Sequence, residues 1–116
     1  MLPKKNRFSN KDRINVLLKQ KNSTKNGFFV VKSINNKDKE HKFCIIISGK
    51  FKIKAVERNL LRRRIYDIIR LNLHALPKMP AKDFAIIIRS CSFNAEYDVL
   101  SKMLMPLIIN QFNQTF

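Results

Sequence analysis

The residues best suited to chemistry lie between Gly49 and Arg64, a stretch with seven cations and one acid, Glu57. The cations are Lys50, Lys52, Lys54, Arg58, Arg62, Arg63 and Arg64. A guanidinium group can bind two phosphate oxygens at once and stack on a base, and an ammonium group adds a point charge. This stretch therefore predicts contact with the sugar–phosphate backbone of RNA or DNA.

The second half of this stretch can form a helix with two different sides. On a helical wheel at about 100° per residue, one side carries the aliphatic residues Leu60, Leu61, Ile65, Ile68 and Leu71. The opposite side carries Asn59, Arg62, Arg63, Tyr66 and Arg70. We expect the aliphatic side to pack on a sheet, and the polar side, with Arg58 and the preceding lysines, to bind nucleic acid.

Residues for protein-borne catalysis are sparse. His41 lies in a charged loop and His74 at a helix end, with no acidic or thiol partner suggested by the sequence, so both are expected at the surface. The eight acids are scattered, and two glycines cannot build a phosphate-cradling loop. Cys44 and Cys91 lack metal-ligand spacing and are expected as buried, reduced thiols. The sequence thus predicts no catalytic residue and no metal or cofactor site in the protein.

The whole chain is strongly basic. Its 116 residues include 24 Lys and Arg against 8 Asp and Glu, a formal net charge of +16. A compact domain with this charge repels itself, and a polyanionic partner relieves that cost. The apolar runs are too short to span a bilayer, and the N-terminus lacks a secretory signal pattern. With 45% hydrophobic residues, we expect one soluble, cytoplasmic domain over residues 1–116, with a basic, partly extended arm at 1–8.

Hydrophobic patterning predicts one sheet with helices packed on it, in the order α-β-β-α-β-α. Helices are expected over about 10–20, capped by Ser9, over about 55–73, and after Asn94. Strands are expected over Phe28–Ile34, Phe43–Ser48 and Phe84–Arg89, with a polar turn over Asn22–Gly27. The loop between the first two strands is too short for a crossover helix, so they are expected to form an antiparallel hairpin.

The first strand has two different faces. One carries Phe28, Val30 and Lys32, and the other carries Phe29, Val31 and Ser33. One face must meet the core, and the face with Lys32 is the better candidate for a ligand. Phenyl rings beside cations suit stacking of unpaired bases, although most strand phenylalanines are expected in the core.

The residues from Lys54 to Arg63, Lys-Ala-Val-Glu-Arg-Asn-Leu-Leu-Arg-Arg, resemble a signature of the bacterial ribonuclease P protein family. That signature reads K-x-A-V-x-R-N-R-x-[KR]-R. The basic N-terminus with Arg7-Phe8, and Asp12 opening a helix, resembles the start of that family. Chain length, element order and the late hydrophobic strand also agree, so the resemblance covers nearly the whole chain.

The resemblance implies a two-layer α/β sandwich like a ribosomal-protein RNA-binding domain, with a left-handed β-α-β crossover. The strand pattern alone favours the right-handed form. The resemblance also implies a protein component of an endoribonuclease in which a large RNA subunit, using Mg²⁺, removes the 5′ leader of precursor tRNA. The protein itself would be non-catalytic, bind that RNA and the leader, and work as a monomer within the ribonucleoprotein.

The matched positions that would inherit RNA contact are Lys50, Lys54, Arg58, Asn59, Arg62 and Arg63. The second Arg of the R-N-R core is Leu60 here, and Arg64 stands nearby to restore the charge. Single-stranded leader is expected in a cleft between sheet and helix, for which the candidates are Ile14, Leu18, Phe28 and Lys32. Ile14 and Leu18 stand where the family has Phe, so stacking on the leader is less supported than RNA binding.

Three alternatives remain open at this stage. A ribosomal-type protein would use the same helix and charge for a purely structural place on folded RNA. A basic nuclease would cleave RNA without an RNA subunit. A role at an anionic membrane surface is the least supported, because the aliphatic side of the cationic helix is needed for the sheet.

Overall fold

The computed structural model describes residues 2–113, which form one four-stranded sheet and three α-helices. The elements are α1 (Lys11–Leu18), β1 (Ser23–Lys25), β2 (Phe29–Asn35), β3 (Lys42–Ile46), α2 (Ala55–Asn72), β4 (Lys82–Ile88) and α3 (Tyr97–Asn113). Short 3₁₀ turns occupy Lys4–Asn6, Leu73–Ala75 and Ser90–Ser92. The mixed α/β class predicted from the sequence is confirmed. No helix among the described residues is both long and apolar enough to cross a membrane.

The strand order in the sheet is β1-β2-β4-β3. The antiparallel hairpin expected between the strands that are now β2 and β3 is therefore wrong, because β4 lies between them. β4 pairs antiparallel with β2, as in Val31 opposite Ile86, and parallel with β3, as in Ile45 opposite Ile86. Six of the seven β4 residues are buried, which explains its place in the middle of the sheet. The β3–α2–β4 unit joins neighbouring parallel strands, and its left-handed sense stays a prediction.

An additional strand, β1, occupies the segment expected as a polar turn. Its residues Ser23 to Lys25 pair antiparallel with β2, so the element order gains a strand before β2. Two hydrogen bonds to backbone carbonyls of α3 hold this region: Thr24 Oγ1 donates to Leu107 at 2.8 Å, and Asn26 Nδ2 donates to Met103 at 2.8 Å. The bonded residues lie 83 and 77 positions apart in the chain. Contacts between such distant residues leave no local pattern, which is why the sequence did not predict the strand.

The main core lies between one face of the sheet and helices α2 and α3. Phe29 and Val31 of β2 are fully buried there, as the alternation of the strand predicted, together with Phe43 and Phe84, whose rings stack at 4.8 Å. The apolar residues of α3 recur at helical spacing and form one stripe against the core, with four buried aliphatic residues and two half-buried residues. Those six residues are Leu100, Leu104, Leu107, Ile108, Met103 and Phe112.

Helix α1 lies on the other face of the sheet, which adds a short third layer to the predicted two. It begins after Asn10, whose side chain accepts hydrogen bonds from the backbone N–H groups of Asp12 and Arg13, so Ser9 is not the cap. Leu17 is fully buried yet lies outside the main core cluster. The N-terminal segment is also packed: Leu2 is buried in the main core and Arg7 forms a bridge to β3. Met1 lies outside the described residues.

Candidate nucleic-acid interface

Helix α2 presents the cationic surface, but it is turned relative to the predicted wheel. Leu61, Ile65 and Ile68 are buried as expected. Leu60 and Leu71, expected in the core, are 45% and 49% exposed. Ile69, which the wheel did not include in the aliphatic side, is fully buried. The aliphatic residues of α2 cover a wider arc of the helix than its packing interface can bury. Packing against α3 as well as the sheet determines which part of that arc is buried.

The predicted RNA-binding residues of α2 share the outer surface. Asn59, Arg63 and Arg70 are exposed, and Arg62 and Tyr66 are half-buried at its edge. Between described residues, ion pairs within 4.0 Å use the carboxylates Asp38, Glu40, Asp67 and Asp83. Of the α2 arginines, Arg70 takes part in one of them, with Asp67 at 3.1 Å. Arg62 and Arg63 thus form no ion pair within 4.0 Å with the carboxylates of residues 2–113.

The segment that enters α2 adds exposed cations. Lys50, Lys52 and Lys54 are all exposed, and Lys54 is the residue before the first turn of the helix, where backbone N–H groups favour anions. Arg58 is half-buried and donates a hydrogen bond from its guanidinium group to the carbonyl of Phe51 at 2.7 Å. Arg58 therefore fixes the entering segment against the helix, while the three lysines point their charge to solvent.

Arg7 belongs to this surface, although the sequence did not place it there. Its guanidinium carbon lies 5.9 Å from the centre of the Tyr66 ring, within cation–π range. Its Nε is buried and has no hydrogen-bond partner among the described residues. Burial, more than any neighbouring charge, raises the pKa of Tyr66, so the phenol stays protonated beside the arginines. In the sequence, Arg7 was visible only as part of the Arg7-Phe8 pair at the N-terminus, and that pair did not indicate that Arg7 lies beside α2.

The sheet face under α1 forms a second candidate surface, which we call the α1 face. The strand register places Lys25, Val30, Ile87 and Ile46 side by side across all four strands. Lys25 is exposed and the three aliphatic side chains are half-buried. The next row includes Lys32 and the buried pair Ala85 and Cys44. The α1 face thus presents an apolar strip that is more accessible than the core beneath it.

Three of the four predicted cleft residues lie at the α1 face. Ile14 and Leu18 are on α1, half-buried and 37% exposed respectively. The ammonium group of Lys32 donates to the carbonyl of Leu18 at 2.8 Å, so this lysine provides a hydrogen-bond donor for a free carbonyl in the last turn of α1. Phe28 lies apart from them, packed against the main core with its ring 6.5 Å from that of Phe29. The geometry therefore assembles the α1 face from Ile14, Leu18 and Lys32 without Phe28.

The opposite end of α1 is fixed by a charged network. Arg13 Nε donates to Asp83 Oδ2 at 3.0 Å, and Asn36 donates to the other oxygen of Asp83 at 2.9 Å. The guanidinium group also pairs with Asp38 at 3.4 Å. The hydrogen bond to Asp83 is the main reason that the pKa of Arg13 is raised. The two ends of α1 are thus held to the sheet by polar contacts.

The histidine and cysteine predictions are each half right. His74 is exposed, but His41 is buried, with Nε2 2.6 Å from the carbonyl of Pro77 and Nδ1 accepting from the backbone of Lys82 at 3.1 Å. Cys44 is buried, and burial raises the pKa of its thiol, whereas Cys91 is exposed. His41 is buried because the fold brings its loop against Pro77 and Lys82, which lie far along the chain. Within residues 2–113, no group of three His, Cys, Asp or Glu side chains is arranged to hold a metal ion.

Comparison with known proteins identifies the family. The sequence profile of the family described as Ribonuclease P matches residues 2–110. A relative from Acholeplasma laidlawii, the "Ribonuclease P protein component", is 32% identical over 103 residues, covering 88% of this chain and 85% of the relative. The RNase P protein structure from Thermotoga maritima superposes with a TM-score of 0.79 at 25% identity, covering 90% and 96% of the two chains.

A structure of the RNase P protein from Staphylococcus aureus agrees, with a TM-score of 0.72 and 26% identity, covering 100% of this chain and 98% of the other. The fold and the exposed cations define a small, basic protein of mixed α/β architecture. The chain belongs to the ribonuclease P protein family.

Proposed function

We propose that this chain is the RNA-binding, non-catalytic part of its holoenzyme. As a protein component of ribonuclease P, it acts in tRNA processing and associates with ribonuclease P RNA. The proposal adds that the α2 surface binds that RNA, that the α1 face holds the 5′ leader of precursor tRNA, and that the RNA subunit with Mg²⁺ performs the hydrolysis. The observation that carries it is that Arg62 and Arg63 of α2 form no ion pair within 4.0 Å with a carboxylate of the described residues.

The physical task of the protein would be electrostatic. Precursor tRNA and the RNA subunit are both polyanions, so bringing them together costs free energy at low salt. A domain with a net charge of +16 placed at their junction lowers that cost. Condensed counterions leave when arginines and lysines bind phosphates, which makes the affinity fall as salt rises. The protein's cations take over part of the neutralisation that Mg²⁺ otherwise supplies, so the protein should lower the Mg²⁺ requirement of the RNA subunit.

The α1 face suits a single strand better than a duplex. Its half-buried strip of Val30, Ile87 and Ile46 offers bases an apolar surface without directed hydrogen bonds. Contact of this kind is tolerant of sequence. Because these side chains and Ile14 are aliphatic, the proposal predicts weak discrimination between leader bases.

The cellular setting follows from the same proposal. The bacterial relatives support action in the cytoplasm, where precursor tRNA is made. One copy of the protein per RNA subunit is expected, because two domains with a net charge of +16 each repel each other away from RNA.

Reconstitution tests the proposal directly. Purified protein is added to the cognate RNA subunit and precursor tRNA at low Mg²⁺, and release of the 5′ leader is measured. The proposal expects leader removal to rise on addition of the protein, and expects no cleavage by the protein without the RNA subunit. Binding without any rise in leader removal would favour a structural, ribosomal-type role. Cleavage by protein alone would show that it is a nuclease in its own right.

A further inference from the structure

A second cationic surface lies at the sheet edge formed by β1, far in the sequence from the arginines of α2. Between Asp12 and Asp38 the chain has six cations and no acid. Four of these cations, Lys19, Lys21, Lys25 and Lys32, flank the connection from α1 into β1 and β2. Lys19, Lys21 and Lys25 are all exposed, and none forms an ion pair within residues 2–113. We call these three lysines the β1-edge patch.

The strand register places the patch at the rim of the α1 face. Ser23 pairs with Lys32, and Lys25 pairs with Val30, so Lys25 lies on the same face of the sheet as Lys32. Thr24, between Ser23 and Lys25, faces the other side of the sheet, where its hydroxyl donates to the carbonyl of Leu107 in α3. Lys19 directly follows the last residue of α1, whose carbonyl is occupied by Lys32. The ammonium group of Lys32 thus ties the helix to the sheet.

The patch and the α2 arginines stand at opposite ends of one apolar strip. The row that starts at Lys25 continues through Val30 and Ile87 to Ile46 of β3, the opposite edge strand. The α2 surface lies beside that edge, because Arg7 bridges to Phe43 of β3 and its guanidinium carbon is 5.9 Å from the centre of the Tyr66 ring of α2. Three strand spacings of about 4.8 Å separate the two edges, roughly 14 Å in all. A single RNA strand that crosses the strip meets cations at both ends.

We propose that the β1-edge patch binds the sugar–phosphate backbone of the leader where the strand leaves the α1 face. This inference rests on the proposed function and extends it to a second phosphate-binding site. Three exposed ammonium groups without competing carboxylates nearby in sequence recognise phosphates as point charges, independent of base identity. The folded RNA subunit carries the same phosphate chemistry, so the experiment must distinguish the two RNA sources.

The test uses the reconstituted holoenzyme and precursor tRNAs whose leaders lengthen by one nucleotide at a time. The patch variant is Lys19→Ala/Lys21→Ala/Lys25→Ala, and the control is Lys39→Ala/Lys78→Ala/Lys102→Ala, which removes three exposed lysines elsewhere. With wild-type protein, the affinity should step up at the leader length that reaches the patch. The patch variant should lose that step, keep its affinity for the shortest leader, and show a salt slope about 2 units shallower for long leaders. The control variant should keep the step.

Each other outcome overturns the inference in a defined way. A step that persists in the patch variant means that the patch does not bind the leader. A loss of affinity for the RNA subunit alone, with the leader step intact, assigns the patch to folded RNA. If wild-type protein stimulates leader removal and only the step is missing, the inference fails while the proposed function stands. Lys25→Glu provides a second variant, which should weaken long-leader binding more than Lys25→Ala does, and thermal melting of each variant checks that the fold is retained.

Discussion

Gln111 Nε2 of α3 donates to Thr24 Oγ1 at 3.0 Å, joining the last helix to the edge strand of the sheet. The same amide nitrogen donates to the carbonyl of Val31 at 3.0 Å, and the hydroxyl of Ser33 lies 2.6 Å from its Oε1. Gln111 is 1% exposed, and its amide is well supplied with partners. A buried amide that is satisfied in this way specifies one arrangement of α3, β1 and β2. It therefore also sets the position of the β1-edge patch.

Replacing Gln111 with Ala should destabilise the fold, because the Ser33 hydroxyl and the Val31 carbonyl would each lose a buried hydrogen bond. At about 1–3 kcal/mol per unsatisfied group, partly relieved by relaxation, we expect a loss of about 2–4 kcal/mol in the free energy of unfolding. Urea denaturation measures it. Asn110→Ala, at the exposed neighbouring position of the same helix, is the control and should change stability by less than about 0.5 kcal/mol. Equal stability of the two variants would show that the amide network contributes little.

The rotation of α2 can be tested by truncating one buried and one exposed aliphatic residue. Ile65 is fully buried and Leu71 is 49% exposed. Ile65→Ala should lower the free energy of unfolding by about 2–5 kcal/mol, through lost burial and the cavity left behind. Leu71→Ala should cost less than about 1 kcal/mol. Similarly large losses for the two variants in urea denaturation would instead support the orientation that the wheel predicted, in which both residues are buried.

The Arg13–Asp83 pair should be worth more than an exposed ion pair. The Asp83 side chain is 3% exposed, and the Lys5–Glu40 pair at 3.5 Å is 64% and 45% exposed. In a double-mutant cycle with Ala at each position, we expect a coupling energy of about 1–3 kcal/mol for Arg13 and Asp83. The Lys5–Glu40 cycle should give at most about 0.5 kcal/mol, because solvent screens it. Similar coupling in the two cycles would mean that α1 is held by its apolar contacts instead.

Local pattern was enough to predict the elements whose buried residues recur at regular helix or strand spacing. The structure gives α2 as Ala55–Asn72 where the sequence predicted about 55–73, and the buried stripe of α3 follows its spacing. The alternation of β2 also predicted which face meets the core. In each case the spacing of apolar residues within the element determines which side is buried, so no information from distant parts of the chain is needed.

Features that depend on distant partners were not predictable. β1 has a polar sequence and is held by Leu107 and Gln111, more than eighty residues away. The place of β4 between β2 and β3 replaces a local hairpin with non-local pairs. Arg7 reaches Tyr66 only because the N-terminal segment bridges to β3. The candidate site was therefore identified by its cations, while its second face was placed by the topology.

The most direct test of the RNA-binding account is the salt dependence of affinity for the ribonuclease P RNA subunit. Wild-type protein is compared with Arg62→Ala/Arg63→Ala and with Lys78→Ala/Lys102→Ala, which removes the same charge from exposed positions away from α2. If α2 binds phosphates, the arginine variant should bind more weakly and its log–log slope should be shallower by about 1–2 units, whereas the lysine control should follow the wild type. Parallel slopes for the arginine variant and the wild type, at equal affinity, would contradict RNA binding by this helix.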